Sequence, residues 1–328
     1  MKVCIYGAGA IGGFIGTRLA ATGTCSVAAV ARGATLQALR EHGWRLRQGG
    51  QVLQAPAQAV EDPRDLGVVD LVVLAVKGPA LAEVARRMAP LLGPHTRVLP
   101  AMNGVPWWFA QAIPALGGQP LRSVDGDGSI GEHIPLAHVI GCVVHASTYT
   151  PEPGLVEQRM GQGLIIGEPA GGLSPRVQAL AELLTRAGFD TTASADVRQD
   201  IWYKLWGNMT MNPVSAITGA SVDRIMDDPL VLAFCSAAMQ EAAEVGARIG
   251  CAVAQSPDDR HAVTRKLGAF RTSMQNDVDA GRAIEIDALV TVVREIAQRV
   301  GVATPNIDAL LGLTRLFARV HHLYPQAR

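Results

Sequence analysis

Short apolar runs alternate with helical periodicity through the first half of the chain. Met1–Tyr6 is apolar and runs straight into Gly7, after which Phe14, Ile15, Leu19 and Ala20 recur at helical spacing up to Gly23. Ser26–Ala31 repeats the strand pattern and Thr35–His42 the helical one. Trp44–Val52 reads as a small hairpin or ribbon around Gly49-Gly50. Leu71–Val76 is apolar at every position, as in a parallel strand buried on both faces. Pro79–Leu92 then predicts a helix and Thr96–Ala101 a strand. Val139–Ala146 predicts another strand, Gly154–Arg159 and Gly163–Gly167 an antiparallel pair, and Ser174–Gly188 an amphipathic helix. Asp190–Ala193 is a last short strand. From Asp196 onward the strand signal vanishes. Ile201–Ile217, Leu230–Gly250, Pro257–Asp279, Glu285–Gly301 and Pro305–Val320 all predict helices. Alternating strands and helices followed by helices alone predict a parallel α/β domain at 1–195 and an all-helical domain at 196–328.

The first strand gives way to Gly7-Ala8-Gly9-Ala10-Ile11-Gly12, a G-x-G-x-x-G between a strand and a helix. In that place it is the fingerprint of a Rossmann-type dinucleotide-binding domain. Gly7 allows the tight turn, Gly9 admits a pyrophosphate to the backbone, and Gly12 permits close helix–strand packing. The free N–H groups at the helix start face the phosphates. The second strand should end where the adenosine ribose lies, and an NAD-selective site usually carries an acid there. This chain has Arg32, whose guanidinium suits a 2′-phosphate, so the expected cofactor is NADP(H). Lys77 and Asn103 each follow a strand at the edge where ligands lie in such sheets.

Composition narrows the class. The 328 residues are 48% hydrophobic, with 29 basic and 29 acidic side chains. That balance argues against nucleic acid or an anionic membrane as partner. No apolar run approaches the ~20 residues of a membrane span. The first residues lack the pattern of a signal peptide, so a cytoplasmic location is expected. The five cysteines are far apart with no CxxC, which predicts free thiols and no metal site. Asp125-Gly126-Asp127-Gly128 lacks the ligand spacing of a calcium loop and reads as a hairpin turn. Trp107, Trp108 and Phe109 cluster in a chain with 5% aromatics, as pocket lining or as a helix anchor. None of the eight histidines shows ligand spacing, and His321 and His322 fall in a tail expected to fray.

Within Ile201–Ile217, Trp202, Leu205, Trp206 and Met209 predict one buried stripe. Lys204, Asn208 and Asn212 lie at i, i+4 and i+8, a polar row that slants by ~40° and rises by about 6 Å per step. Pro213 should kink or end the helix beside Asn212. By itself such a row is also what a solvated face looks like.

In the company of the other motifs it is more. GAGAIG at Gly7–Gly12, VK ending at Lys77, NG at Asn103–Gly104, W-x-K-L-x-x-N-x-x-x-N-P at Trp202–Pro213, and S-M at Ser273 followed by E-I-D at Glu285–Asp287 stand in this order. The set resembles the ketopantoate reductase (2-dehydropantoate 2-reductase) family over essentially the whole chain. The resemblance implies NADPH-dependent reduction of a 2-oxo acid, with Lys204 as general acid. Asn208, Asn212 and Ser273 would hold the substrate, Asn103 would touch substrate and nicotinamide side, and Glu285 would orient the cofactor and Lys204. Ser147 falls where a further cofactor contact is expected, and a homodimer is a family-level possibility. Two departures concern the substrate: a longer 104–140 segment, and Val222 where the family offers another asparagine. The neighbouring readings are a hydroxy acid or opine-type dehydrogenase and a protein that senses NADP(H) without turnover.

Overall fold

The computed structural model describes residues 1–326. Contacts group the chain into two compact units, Met1–Met102 with Asp127–Asp200, and Asn103–Gly126 with the chain from Ile201 onward.

The first unit is built on two sheets. One consists of β1 (Lys2–Tyr6), β2 (Ser26–Val30), β5 (Gln58–Val60), β6 (Leu71–Leu74) and β7 (Arg97–Pro100). All its pairings are parallel, in the order β5-β2-β1-β6-β7, so the apolar β1 and β6 are central and Val3–Tyr6 and Leu71–Leu74 are buried. The other sheet holds β3 (Trp44–Gln48), β4 (Gln51–Ala55), β8 (Gly141–Glu152), β9 (Leu155–Gly167) and β10 (Asp190–Ser194). β3 and β4 form the expected hairpin, while β9 runs parallel to β3 and β10 and antiparallel to β8. α1 (Ala10–Ala21) packs against strands of both sheets. Its glycines make that possible: a Cβ on Gly13 would lie 2.5 Å from Val156, and one on Gly16 2.7 Å from the Trp44 ring. α2 (Gly33–His42), α3 (Leu81–Arg86), α4 (Ser129–His133) and α5 (Pro175–Arg186) complete the unit.

Several elements differ from the periodicity. Gly154–Arg159 and Gly163–Gly167 are not an antiparallel pair but two ends of the single strand β9. Gly161, at φ +71°, lets the strand bulge against the His145 carbonyl while its pairing with β8 continues through register shifts. The helix expected over Pro79–Leu92 breaks into a 3₁₀ turn at Gly78–Ala80, α3, and another 3₁₀ turn at Ala89–Leu91, where Pro90 supplies no backbone donor. Asp125–Gly128 is not a hairpin turn. Gly128, at φ +76°, instead precedes the short α4, whose Ser129 N–H donates to Asp127 Oδ1 at 3.1 Å.

The second unit is a helical bundle around α6 (Val197–Thr218), with α7 (Val222–Asp227), α8 (Pro229–Arg248), α9 (Pro257–Arg265), α10 (Ser273–Asp279), a π-helical turn at Asp287–Thr291, α11 (Val292–Val300) and α12 (Pro305–Val320). The stripe Trp202, Leu205, Trp206 and Met209 is buried as expected. The Trp206 indole donates to the Met239 carbonyl at 2.7 Å, and Gly246 leaves room beside α8 for the Trp202 ring. Phe109 stacks on Trp202 with ring centroids 6.2 Å apart, so the buried aromatics of the 103–126 segment anchor α6. α8 has the length and hydropathy of a membrane span, which the sequence was not expected to contain. Its buried face, Cys235, Ala238, Met239, Ala242 and Val245, packs within the bundle against α11 and α12.

Three helical expectations change here. α6 runs on past Pro213 to Thr218, with Ser215 Oγ donating to the Asn212 carbonyl at 2.9 Å inside the last turns. Pro257–Asp279 is two helices, divided at Gly268 (φ +62°) and restarted by Thr272, whose side chain accepts from Gln275 N–H. The tail after α12 is pinned: Leu323 is buried, its carbonyl accepts from Ile284 N–H at 3.1 Å, and Tyr324 Oη donates to Asp287 Oδ1 at 2.8 Å.

Candidate active site

The glycine turn of the first unit has the geometry of a phosphate cradle. Gly7 takes φ +94°, open to glycine at little cost, and a Cβ there would meet Val76 and the Ala75 carbonyl within 2.9 Å. A Cβ on Gly12 would lie 2.0 Å from the Gly7 carbonyl oxygen, so no other residue fits. Gly9 is the opposite case: a Cβ there would find nothing within 4 Å. Gly9 caps α1 without a side-chain hydrogen bond, and the helix's first turn, from Ala10 and Ile11, carries no acid. The open space therefore lies at the positive end of α1, where a pyrophosphate is stabilised by backbone N–H groups.

A cavity of about 400 Å³ continues from this turn. It is lined by Gly7, Ala8 and Gly9, by Arg32 and Thr35 at the start of α2, by Val76 after β6, by Glu83 and Val84 of α3, and by Arg87 just after it. Arg32 thus shares a cavity with the glycine turn, as a 2′-phosphate contact requires. Tyr6, Thr35, Glu61 and Arg87 line it too and were not singled out by the sequence. Tyr6 reads as one more apolar strand residue, and the others are unremarkable loop or helix polars. Lys77 is half-buried, one residue beyond Val76 and in front of the Gly78–Ala80 turn. Ser147 lies at a register shift of β8 and is not part of the cavity lining.

In the second unit, Lys204 Nζ donates to Asn103 Oδ1 at 2.9 Å. These two residues are 101 positions apart, and the bond brings together the NG loop and the α6 row. Asn208 is half-buried and Asn212 buried, and among the described residues their side-chain amides have no hydrogen-bond partner. Amides left open in this way can donate to and accept from a bound ligand.

Two further links hold the surrounding loops. Val105 N–H donates to the Ala288 carbonyl at 2.9 Å, inside the π turn that follows Glu285, and Gly104 (φ +81°) lies so close that a Cβ would meet that carbonyl at 2.3 Å. The loop bearing Asn103 and the loop bearing Glu285 are therefore fastened to each other, and π turns often mark such sites. Glu285 itself is half-buried. Ser273 is the exposed first residue of α10. Its neighbour Thr272 shares a 2.5 Å hydrogen bond with Ser215, three residues beyond Asn212 on α6. Ser215 and Thr272 hold these segments together and are residues that periodicity could not reveal.

Comparison with known proteins gives the family. The description "Ketopantoate reductase PanE/ApbA" matches residues 3–171, and "Ketopantoate reductase PanE/ApbA C terminal" matches residues 196–318. The chain belongs to the ketopantoate reductase family. It is thus an oxidoreductase with a Rossmann-type α/β domain followed by a helical one. It is 40% identical to the 2-dehydropantoate 2-reductase of Mesorhizobium japonicum, over 97% of this chain and 98% of that protein. A solved Ralstonia solanacearum protein described as a ketopantoate reductase is 54% identical, with TM-score 0.94, covering 98% of this chain and 99% of its own. D-mandelate dehydrogenase, solved with NADH and anilino(oxo)acetate, shares the fold at 21% identity and TM-score 0.85, covering 99% of this chain and 100% of its own. Family members use a nicotinamide cofactor, and the open backbone at Gly9 and the Arg32 cavity fit one.

Proposed function

We propose that the protein reduces a 2-oxo acid to the 2-hydroxy acid with NADPH, the 2-oxo acid being 2-dehydropantoate and the product pantoate. The observation that carries this reading is the Lys204–Asn103 hydrogen bond beside the unpartnered amides of Asn208 and Asn212. The relatives named as 2-dehydropantoate 2-reductases support the choice of substrate.

Bound cofactor supplies the hydride that attacks the ketone carbon. The chain's own residues deal with the charge that then develops on the ketone oxygen. Lys204 stabilises it as a cation and transfers a proton to it, and the ammonium is held in place by Asn103. Asn208 and Asn212, one and two turns along α6, offer donors and acceptors to the substrate's carboxylate and hydroxyl, with Ser273 a further contact. Glu285 orients the cofactor and Lys204, while Lys77, Ser147 and the nicotinamide side of Asn103 complete the cofactor contacts. Arg32 reads the 2′-phosphate, which makes the cofactor NADP(H).

The runner-up is reduction of another 2-oxo acid on the same machinery. It is favoured by Val222, which is buried where the family carries a further asparagine. The reading also includes a cytosolic setting, in keeping with five free cysteines, and a homodimer. The Staphylococcus aureus ketopantoate reductase is described as dimeric, and α12 here exposes Leu313, Leu316 and Val320 along one face. Light scattering in solution tests the dimer.

The deciding experiment is a panel of 2-oxo acids, 2-dehydropantoate included, each with NADPH and NADH, run on the wild type and on Lys204→Ala. Oxidation of NADPH that depends on a 2-oxo acid and is lost in the variant is the expected result. Reduction of none of the acids would remove the reading.

A further inference from the structure

The cavity of the first unit contains one group that a dinucleotide fingerprint does not call for. Tyr6 is the last residue of β1 and 5% exposed, and among the described residues its hydroxyl is buried without a hydrogen-bond partner. Its strand neighbours, Val30 and Leu74, are apolar, so a phenylalanine would suit the sheet without the cost of an unmatched hydroxyl. Tyr6 lines the same cavity as the glycine turn. Gly9 marks the pyrophosphate end and Arg32 the ribose end.

Val30, Ala31, Val76, Ala80 and Val84 give the rest of the cavity an apolar lining and Thr35 and Glu61 a polar one, and the Tyr6 side chain joins it with its hydroxyl buried. Glu83 of α3 and Arg87 just after that helix border it, and both act electrostatically on the Tyr6 phenol. Burial is the stronger influence and holds the phenol above its ordinary range, so the hydroxyl remains a donor throughout neutral pH. Arg32 and Arg87 are balanced by Glu61 and Glu83 in this lining, so it carries no net charge. A flat neutral base with ring-nitrogen acceptors fits apolar walls and one donor.

We propose that Tyr6 is a specificity residue for the cofactor's adenine base, its hydroxyl donating to N1 on the edge farthest from the ribose. This rests on the dinucleotide reading of the cavity. The chain then reads the base itself as well as the phosphates, and Tyr6 discriminates against bases that offer no acceptor at that edge.

The test is Tyr6→Phe, measured by calorimetry with 2′,5′-ADP and by fluorescence with NADP and its 1,N6-etheno analogue, in which N1 no longer accepts. The variant is expected to bind 2′,5′-ADP about fivefold to tenfold more weakly, the size of one net hydrogen bond. Its thermal midpoint should equal or exceed that of the wild type. The penalty for the etheno base should shrink in the variant by the same factor, a coupling that a merely structural tyrosine would not produce. Unchanged affinity for 2′,5′-ADP, or an etheno penalty equal in both proteins, overturns the proposal. If Arg32→Asp loses 2′,5′-ADP while Tyr6→Phe keeps it, only the Tyr6 assignment falls. If the wild type binds neither 2′,5′-ADP nor NADP, the cofactor reading falls and takes the assignment with it.

Discussion

Lys204 Nζ and Asn103 Oδ1 stand 2.9 Å apart, and the loop that carries Asn103 is itself tied to the π turn after Glu285 through Val105 N–H and the Ala288 carbonyl. One proton of the ammonium is thereby committed to an amide oxygen that can only accept. The direction of the proton donor is set by the fold before any ligand arrives, which is the kind of preorganisation that lowers a barrier.

Removing the ammonium should therefore damage turnover far more than binding. Lys204→Ala is expected to lower kcat by about 10²–10⁴-fold, the range of general acid catalysis. Binding of NADPH by fluorescence should change little. Asn103→Ala should lower kcat by a smaller factor, because the cation survives but loses its orientation. A Lys204→Ala variant with near-normal kcat would end the general-acid assignment.

The proposed preference for NADPH turns on Arg32, which shares the cavity with the glycine turn. Arg32→Asp replaces a partner of the 2′-phosphate with a like charge. The expected result is a loss of at least about tenfold in NADPH affinity, from the charge-assisted bonds removed. NADH affinity should stay within a few-fold. Equal losses for both cofactors would count against the 2′-phosphate role.

Much of this was legible in the sequence, and the physics explains where it stopped. The strands β1, β2 and β6 and the turn at Gly7–Gly12 depend on residues within a few positions of one another, so local pattern exposes them. The roles proposed for Lys204, Ser273 and Glu285 came from the order of motifs, because spacing alone also described the Lys204 row as a solvated face. What stayed hidden is non-local. Ser215 and Thr272 meet across 57 positions, Glu295 and Ser123 across 172, and Tyr6 is an ordinary strand residue until its unmatched hydroxyl is seen. The undivided helix expected over Pro257–Asp279 failed for a related reason, since one glycine rarely outweighs a long periodic stretch.

The glycines of the turn separate stability from binding. Gly12→Ala forces a methyl to 2.0 Å from the Gly7 carbonyl oxygen, so the strand–helix packing must shift. It should lower the thermal midpoint clearly and abolish cofactor binding with it. Gly9→Ala places its methyl where nothing lies within 4 Å. That variant should melt within a few degrees of the wild type yet bind NADPH poorly, because the methyl occupies the pyrophosphate's approach. A Gly9→Ala protein with wild-type affinity would move the phosphate site elsewhere.

Glu295 on α11 offers a pH-dependent test of the second unit. Its carboxylate accepts from Arg122 N–H at 2.8 Å, from Ser123 N–H at 2.8 Å and Oγ at 2.6 Å, and from Arg299 at 2.6 Å. Burial alone would raise its pKa. The Ser123 hydroxyl, the two backbone donors and Arg299 outweigh burial and hold it below the usual glutamate range. A carboxylate depressed on folding adds stability above its unfolded pKa of about 4.3, and that contribution is lost as pH falls through the lower folded value. Glu295→Gln keeps the shape but not the charge, and leaves at least one of these donors facing an amide N–H₂. It should cost about 1–3 kcal/mol at pH 7, and the gap to the wild type should close as pH drops below about 4. Urea unfolding at pH 7 and pH 3 measures both. A gap that persists unchanged at pH 3 would mean that the charge of Glu295 is not what fastens residues 122–123 to α11.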